Sequence, residues 1–563
     1  MTLGRAAAAV LVLASTAAGA SAASHPIRAR NGMVVSQHFI ASRVGADVLM
    51  EGGNAVDAAV ATAFALAVTH PAAGNIGGGG FLLYRPVKGD PVAYDFRETA
   101  PAAATPTMFL KGGKYDKDLH HESHLAVGVP GTVAGLHLAW HEKGSLPWKR
   151  LVGPAIELAR EGFIVTDGLA RSLKSVLPEM KKYPNSVAQF SRGGVPYEAG
   201  DILKQPELAR SLQRIADKGP AGFYEGETAE LIEKEMKAGG GLITRADLAA
   251  YRPLKRVPLR GSYRGYEVLS MPPISSGGTA LIEMLNVVEG FDLASLGFGG
   301  SDTVHRVVES MRRAFADRAR HLGDPAFNAD MPIARLISKE YAEQLRRTIR
   351  PDRASVSAPE RFEWPPSGGQ TTHLSVMDRD RNAVALTYTL EDSYGVKMVV
   401  PGAGFLLNNE MGDFNAGPGL TNAEGLIGTE ANLAAPGKRM LSSMTPTILV
   451  KDGKPFLAIG SPGGRTIINT VLLTILNLVD FGMNVQEAID APRFHHQWLP
   501  DKIQYEKWGL SPDTVAALRA RGHALEAIAG GQGVAQGIVF NVKEDLLEGA
   551  SDRRSPDGAA IGW

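Results

Sequence analysis

The apolar positions in the first two thirds of the chain give mainly helical signals. Asn54 belongs to a residue class that caps helices, and an almost continuous apolar surface follows it over 55–68, which predicts a buried helix. A glycine-rich stretch then leads into a short apolar strand at 81–84. Further helices are predicted at 150–161, 205–216, 226–238, 279–289 and 302–321.

Beyond residue 371 the pattern changes to short apolar runs with strand character. The predicted strands are 374–376, 383–390, 404–408, 445–450 and 455–459, followed by helices at 465–480, 484–491 and 511–521. Residues 415–438 are rich in Gly, Asn and Pro without periodicity, which is typical of a functional lid or a disordered loop. Helices, then strands, then helices suit an α+β fold in which sheets lie between helical layers.

Composition limits the classes of function. The 563 residues are enough for one large domain or two interlocked ones. Lys+Arg and Asp+Glu both total 59, so net charge gives no sign of a nucleic-acid or membrane partner. The absence of cysteine excludes disulfides, cysteine-bound zinc and thiol nucleophiles.

The N-terminus has the pattern of a signal peptide. Arg5 precedes a weakly apolar stretch at 6–18, and Ala20-Ser21-Ala22 is a small-x-small cleavage site. We expect residues 1–22 to be removed and the protein to be exported to a periplasm or secreted. No membrane anchor is expected, because the best internal apolar run, 55–68, is interrupted by Asp57.

The segment 364–370 is a Pro/Gly/Ser-rich stretch that ends at Gln370, and Thr371 begins the strand-like run after it. If the bond between them were cut, Thr371 would carry a hydroxyl nucleophile and an α-amine on one residue. That amine has an ordinary pKa of roughly 7.7–8, so it accepts a proton near neutrality. Threonine paired with its own amine is an established arrangement for covalent catalysis, although a simple strand start after a linker fits the same residues.

A second glycine-containing turn, Ser461-Pro462-Gly463-Gly464, lies between a predicted strand and a predicted helix. Backbone N–H groups in such a turn stabilise an oxyanion, although glycine geometry in a tight turn is an alternative reading. The chain lacks the G-x-S-x-G, G-x-G-x-x-G, Walker-type and H-E-x-x-H motifs. Because adjacent histidines diverge, His495 and His496 do not suggest a metal site, and neither metal nor cofactor is expected.

Three further stretches have side chains suited to charged groups of a ligand. Arg97 follows a predicted strand and is the residue best suited to a carboxylate, while Glu410 and Asp413 suit an ammonium group. Ser442 and Ser443 precede a strand and could donate to a carboxylate. Surface salt bridges, solvated loop charges and turn capping are the alternative explanations for these residues.

Taken together, these stretches resemble the γ-glutamyltranspeptidase (glutathione hydrolase) family of N-terminal-nucleophile hydrolases. The matching segments follow in family order along the chain, and a shared site would explain all of them. They are 52–59, 75–79, 95–98, 128–131, 371–373, 407–411, 438–444, 460–464 and 491–496.

The resemblance implies a four-layer αββα sandwich of the N-terminal-nucleophile hydrolase type. It also implies self-cleavage between Gln370 and Thr371, giving a large subunit, 23–370, and a small catalytic subunit, 371–563, that form one intertwined unit. Thr371 would act as nucleophile, with Thr389 hydrogen-bonded to the new N-terminus. The Gly463 and Gly464 amides would form the oxyanion hole.

For the substrate, the resemblance implies a γ-glutamyl group. Arg97, Ser442 and Ser443 would hold its α-carboxylate, and Glu410 and Asp413 its α-ammonium. The acyl group would form an ester with threonine and then pass to water or to an amino acid or peptide.

Two positions depart from the family pattern. Many relatives have Asn where this chain has Glu391, although some bacterial members carry an acid there, and several have a lid Tyr where it has Glu424. Two carboxylates facing each other repel, so we expect a looser or differently closed lid with ammonium binding retained. We therefore predict that Glu391 affects acceptor preference more than γ-glutamyl binding.

The function predicted from the sequence is an exported, self-processing γ-glutamyl hydrolase/transferase acting on glutathione-like compounds. A glutaryl-cephalosporin or poly-γ-glutamate acylase of the same family is the nearest alternative. The glutaryl group has no ammonium to match Glu410 and Asp413, which argues against the first of these. An inactive relative that only binds γ-glutamyl ligands is the alternative from another class.

Overall fold

A computed structural model describes residues 24–357, 371–420 and 429–563. The predicted signal peptide, Gln370 and Glu424 lie outside these ranges. Within them, no helix is both long enough and apolar enough to cross a bilayer.

The helices are distributed along most of the described chain. They are α1 Phe39–Met50, α2 Ala55–Thr69, α3 Lys117–His121, α4 Thr132–Lys143, α5 Trp148–Glu161, α6 Asp167–Met180, α7 Pro184–Phe190, α8 Pro206–Lys218, α9 Ala221–Tyr224, α10 Gly226–Gly239, α11 Arg245–Ala250, α12 Gly277–Val288, α13 Leu293–Leu296, α14 Ser301–His321, α15 Ile333–Leu336, α16 Lys339–Arg347, α17 Thr466–Val479, α18 Val485–Asp490 and α19 Pro512–Ala520.

The strands form two large sheets and several short pairings. They are β1 Ile27–Ala29, β2 Met33–Ser36, β3 Gly79–Arg85, β4 Val92–Phe96, β5 Leu110–Lys111, β6 Lys114–Tyr115, β7 Phe163–Ile164, β8 Ser191–Arg192, β9 Val195–Pro196, β10 Ile202–Leu203, β11 Leu254–Arg256, β12 Leu259–Tyr263, β13 Tyr266–Ser270, β14 Thr371–Met377, β15 Ala383–Thr389, β16 Thr447–Lys451, β17 Lys454–Gly460, β18 Phe494–His495, β19 Ile503–Glu506, β20 Leu525–Ile528, β21 Gln536–Asn541, β22 Leu546–Ser551 and β23 Ala559–Gly562.

Two antiparallel seven-stranded sheets form the centre of the molecule. Sheet 1 has the order β11-β4-β3-β15-β14-β2-β23, and sheet 2 has the order β1-β22-β21-β17-β16-β13-β12. Each sheet combines strands from before and after residue 371. A cut at that point would therefore leave both sheets shared between the two products.

Sheets 1 and 2 pack face to face, and helices cover their outer faces. Alternation along β14 explains how one strand serves two layers, because successive side chains point to opposite faces. Leu374 and Val376 join the apolar core beneath α2, whereas Met377 joins the core shared with sheet 2. Helices α12, α17 and α18 pack on the outer face of sheet 2. The predicted four-layer αββα sandwich is confirmed.

The local predictions are mostly confirmed. The helix predicted at 55–68 is α2, and Asn54 caps it through a reciprocal capping box with Asp57. The strand predicted at 404–408 is wrong. Gly404 has a φ of +75°, in the left-handed region, and Leu406 forms only an isolated bridge to Val399. This apolar run is a buried loop, since burial alone does not require a sheet partner.

Candidate active site

Thr371 and Thr389 lie directly opposite each other on β14 and β15. The Thr371 hydroxyl donates to Thr389 Oγ1 over 3.3 Å, and both residues are buried. The backbone amide of Glu391 also donates to Thr389 Oγ1, over 2.8 Å. The Thr389 carbonyl accepts from Asn75 Nδ2 over 2.9 Å, which fixes the end of β15. A hydroxyl nucleophile at Thr371 would therefore have a second, firmly held hydroxyl beside it.

The Gly463–Gly464 turn connects β17 to α17. The φ angles of these glycines are +130° and +56°, values that side chains disfavour. A Cβ on Gly463 would lie 2.4 Å from Thr466 Oγ1, so the turn needs glycine here for space as well. Within the described part of the chain, neither glycine amide donates a hydrogen bond to a protein acceptor. Two such N–H groups are suited to an oxyanion.

Arg97 follows β4 directly and is completely buried. Its guanidinium forms ion pairs with both Glu410 and Asp413, and Nε donates to the Met440 carbonyl over 3.2 Å. The arginine and the two acids were assigned from the sequence to opposite ends of a zwitterion. In the structure they form a single ion-paired cluster that presents both signs of charge to one ligand.

Burial makes this cluster electrostatically demanding. It raises the pKa of the Glu410 carboxyl well above its usual range, although Arg97 opposes the shift. Glu410 Oε2 is buried and has no hydrogen-bond partner among the residues described. A buried acceptor without a partner is costly, so an ammonium group bound there would relieve that cost.

Glu98 is a second buried acid beside Arg97, with its Oε2 3.6 Å from Arg97 Nη1. Neither of its carboxyl oxygens has a hydrogen-bond partner in the described ranges. Burial raises the pKa of Glu98 to about 8. Sequence reasoning did not single out this residue, although it lies within the motif quoted for Arg97.

Glu391 lies two residues after Thr389 with a φ of +75°, which turns the chain sharply at the pocket. Its Oε1 is 3.4 Å from His121 Nδ1 of α3. Burial raises the pKa of Glu391 well above its usual range, and Asp392, Asp413 and Glu410 raise it further. Nothing in the sequence indicated that His121 would lie beside this carboxyl group.

One pocket brings nearly all the predicted residues together. Gly463 is the exception, because it is not among the residues that line the pocket. The sequence analysis missed three lining residues, although two of them closely follow the glycine turn. The lining residues are Arg97, Thr371, Thr389, Glu391, Glu410, Asp413, Ser442, Ser443, Met444, Gly464, Arg465 and Ile467.

Potential metal ligands lie elsewhere in the molecule. His305, Glu309 and His523 have ligand atoms within 4.8 Å of one another. Glu309 already accepts from Arg312 over 3.1 Å and from Arg313 over 2.6 Å. The charge that a cation would need is therefore already compensated by arginine, and this cluster is better explained as an internal ion-pair network.

The fold and the pocket define a class of protein. Two facing sheets between helical layers, with a threonine at the start of a central strand and glycine amides nearby, match the architecture of an N-terminal-nucleophile hydrolase. The profile of the γ-glutamyltranspeptidase family matches residues 41–562.

Individual relatives agree with the profile. The chain is 50% identical over 544 residues to the glutathione hydrolase proenzyme of Escherichia coli (strain K12), covering 96% of this chain and 93% of that protein. It is 38% identical to the acylase ACY 1 proenzyme of Pseudomonas sp. (strain SE83), with coverages of 95% and 94%. The solved cephalosporin acylase from Bacillus halodurans superposes with a TM-score of 0.85 at 29% identity, over 98% and 99% of the chains. The chain belongs to the γ-glutamyltranspeptidase family.

Proposed function

We propose that this chain, by its family a γ-glutamyl transferase/hydrolase, cuts itself between Gln370 and Thr371 and then acts on glutathione and related γ-glutamyl compounds. The observation that carries the proposal is the pocket in which Thr371 lies beside Thr389 and the Arg97, Glu410 and Asp413 cluster. Relatives named as proenzymes support processing into a large subunit, 23–370, and a small subunit, 371–563.

In the proposed reaction, Thr371 Oγ1 attacks the γ-carbonyl carbon while its proton passes to the new terminal amine. The carbonyl oxygen becomes an oxyanion that accepts hydrogen bonds from the Gly463 and Gly464 amides. The C–N bond then breaks, and the leaving amine takes the proton. The resulting γ-glutamyl ester is attacked by water or by an acceptor amine, which restores the threonine hydroxyl.

Charge complementarity would set the orientation of the donor. The α-carboxylate would bind Arg97 and the hydroxyls of Ser442 and Ser443, while the α-ammonium would bind Glu410 and Asp413. Each of these charge-assisted hydrogen bonds is worth on the order of 1.5–3 kcal/mol. Holding both charged groups directs the side-chain amide carbonyl toward Thr371, where positioning lowers the barrier.

A glutaryl-type acylase is the second candidate, and the acylase relatives favour it. A glutaryl group offers a carboxylate but no ammonium. Binding a glutaryl group would leave the Glu410 and Asp413 carboxyls without a ligand partner. Glu410 Oε2, which has no hydrogen-bond partner among the described residues, would still have none. A poly-γ-glutamate substrate would satisfy the same acids only at its terminal residue.

A pair of chromogenic anilides separates these candidates. We expect the purified protein to release p-nitroaniline from γ-glutamyl-p-nitroanilide faster than from glutaryl-p-nitroanilide. Faster turnover of the glutaryl compound would favour the acylase, and turnover of neither would favour a binding protein without activity.

We also propose that the protein is exported as a soluble enzyme without a membrane anchor. The support is the signal-peptide pattern of residues 1–22. Expression in a bacterial host should place the mature protein in the osmotic-shock fraction, starting at about residue 23. A protein that stays in the cytoplasm and still begins at Met1 would contradict export.

A further inference from the structure

Arg318 lies behind the pocket, near the end of α14, and only 4% of it is exposed. Its Nη2 donates to Ser443 Oγ over 2.9 Å. Its Nε donates to Ser276 Oγ over 2.6 Å. One guanidinium therefore contacts a serine that lines the pocket and a serine just before α12.

Ser276 continues this chain of hydrogen bonds to the neighbouring pocket serine. Its backbone N–H donates to the Ser442 carbonyl over 2.8 Å, and its hydroxyl donates to the same oxygen over 2.6 Å. The Ser442 amide in turn donates to the Ile274 carbonyl over 3.3 Å. The loop with both pocket serines is thus held from the large-subunit side of the predicted cut.

The direction of these hydrogen bonds determines what Ser443 has left to offer. A hydroxyl has one proton to donate, and an arginine only donates. Because Ser443 Oγ accepts from Arg318, its own proton points elsewhere, and no acceptor for it occurs among the described residues. Ser443 also lines the pocket, so its hydroxyl is set to donate to a ligand there.

Arg318 also adds positive charge behind that hydroxyl. Burial lowers the pKa of its guanidinium to about 10, which leaves it protonated at neutral pH. Donation from a cation polarises the Ser443 O–H bond, and hydrogen-bond chains of this kind strengthen one another at low dielectric.

We propose that Arg318 is a positioning residue of the carboxylate subsite, an inference that rests on the proposed function. Arg318 orients the Ser443 hydroxyl and, through Ser276, holds the loop that contains Ser442. The ligand is the α-carboxylate of the γ-glutamyl donor. Arg318 acts through the serines and does not contact the reacting atoms.

The test compares Arg318→Gln with the parent enzyme on γ-glutamyl-p-nitroanilide. Loss of a charge-assisted hydrogen bond predicts a KM increase of roughly 10- to 100-fold, with kcat changed much less. Arg318→Lys should raise KM less than Arg318→Gln does, because lysine keeps the positive charge but lacks the forked N–H donors of the guanidinium. Arg306→Gln is the matched control. Arg306 lies on the same helix as Arg318, about 18 Å away along the helix axis, and forms an ion pair with Asp302.

A double mutant tests whether Arg318 works through Ser443. In a Ser443→Ala background, Arg318→Gln should raise KM by less than a third of its factor in the parent. The inference would be overturned if the KM factors of Arg318→Gln and Ser443→Ala multiplied fully in the double mutant. It would also be overturned if Arg318→Gln lowered kcat without changing KM, or changed neither. If Arg318→Gln does not fold, Ser276→Ala must give the same KM-selective loss, and failure to do so overturns it equally. A parent without γ-glutamyl turnover would instead contradict the proposed function, so the two failures are distinguishable.

Discussion

At the residue scale, the pocket contains more acid than arginine. Arg97 is ion-paired with Glu410 and Asp413, and Glu98 and Glu391 are buried in the same region. Burial raises the pKa of Glu98, Glu391 and Glu410 above the ordinary values. Such shifts are typical of functional sites, where a ligand later supplies the missing partner.

Glu98 gives a prediction for stability against pH. Its pKa is about 8 in the native protein and near 4.5 in the unfolded chain, so between these values only the native state keeps the proton. Stability from this group is therefore lost as pH rises through that window. Glu98→Gln should remove this pH-dependent loss of stability. The Tm of the variant minus the Tm of the parent should therefore be at least about 2 °C larger at pH 8 than at pH 5. Thermal unfolding at both pH values measures this, and a constant difference would contradict it.

Glu391 gives a prediction for acceptor choice. Glu391 lies beside His121 and outside the ion-paired cluster of Arg97, Glu410 and Asp413, so Glu391→Asn should change the KM for the γ-glutamyl donor less than about threefold. Relative transfer rates to a panel of neutral, acidic and basic amino acids should change more. Asp392→Asn is the control, because the neighbouring acid does not line the pocket. Equal losses for every acceptor would count against this role.

At the element scale, the sequence predicted the helices, strands and turns that are determined by neighbouring residues. The segment from β17 through the glycine turn to α17 was predicted because a short apolar run, paired glycines and an apolar helix follow each other in 455–480. The apolar run at 404–408 was misassigned, because hydrophobicity reports burial and this run is a buried loop with Gly404 at positive φ. Contacts between Arg97 and Glu410 join residues 313 positions apart, which no local pattern encodes.

The last residue of β17 gives a prediction for sheet packing. A Cβ on Gly460 would lie 2.4 Å from the ring of His373, which projects from β14 of the facing sheet. Gly460→Ala must therefore separate the sheets or move the ring, and overpacking of this kind costs about 1–3 kcal/mol. Gly530→Ala is the matched control, since its Cβ would meet nothing within 4 Å. Chemical denaturation should show a lower midpoint for the first variant only, and equal midpoints would contradict the close approach.

At the scale of the whole molecule, the layered architecture could be predicted in class but not in detail. Helical and strand signals indicated sheets between helical layers, and the family resemblance specified four layers. The order of strands could not be read from the chain, because β2 and β23 pair across almost its whole length. Each sheet joins strands from both sides of Thr371, so processing should leave a single stable unit.

The central claim is that scission before Thr371 creates the nucleophile. The most direct measurement is intact-mass analysis with N-terminal sequencing of the purified active protein, alongside Thr371→Ala and the control Thr372→Val. The account predicts two polypeptides in the parent and the control, the smaller beginning at Thr371, and one uncut polypeptide without activity in Thr371→Ala. Full γ-glutamyl turnover by an uncut chain, or a small chain beginning at another residue, would contradict it.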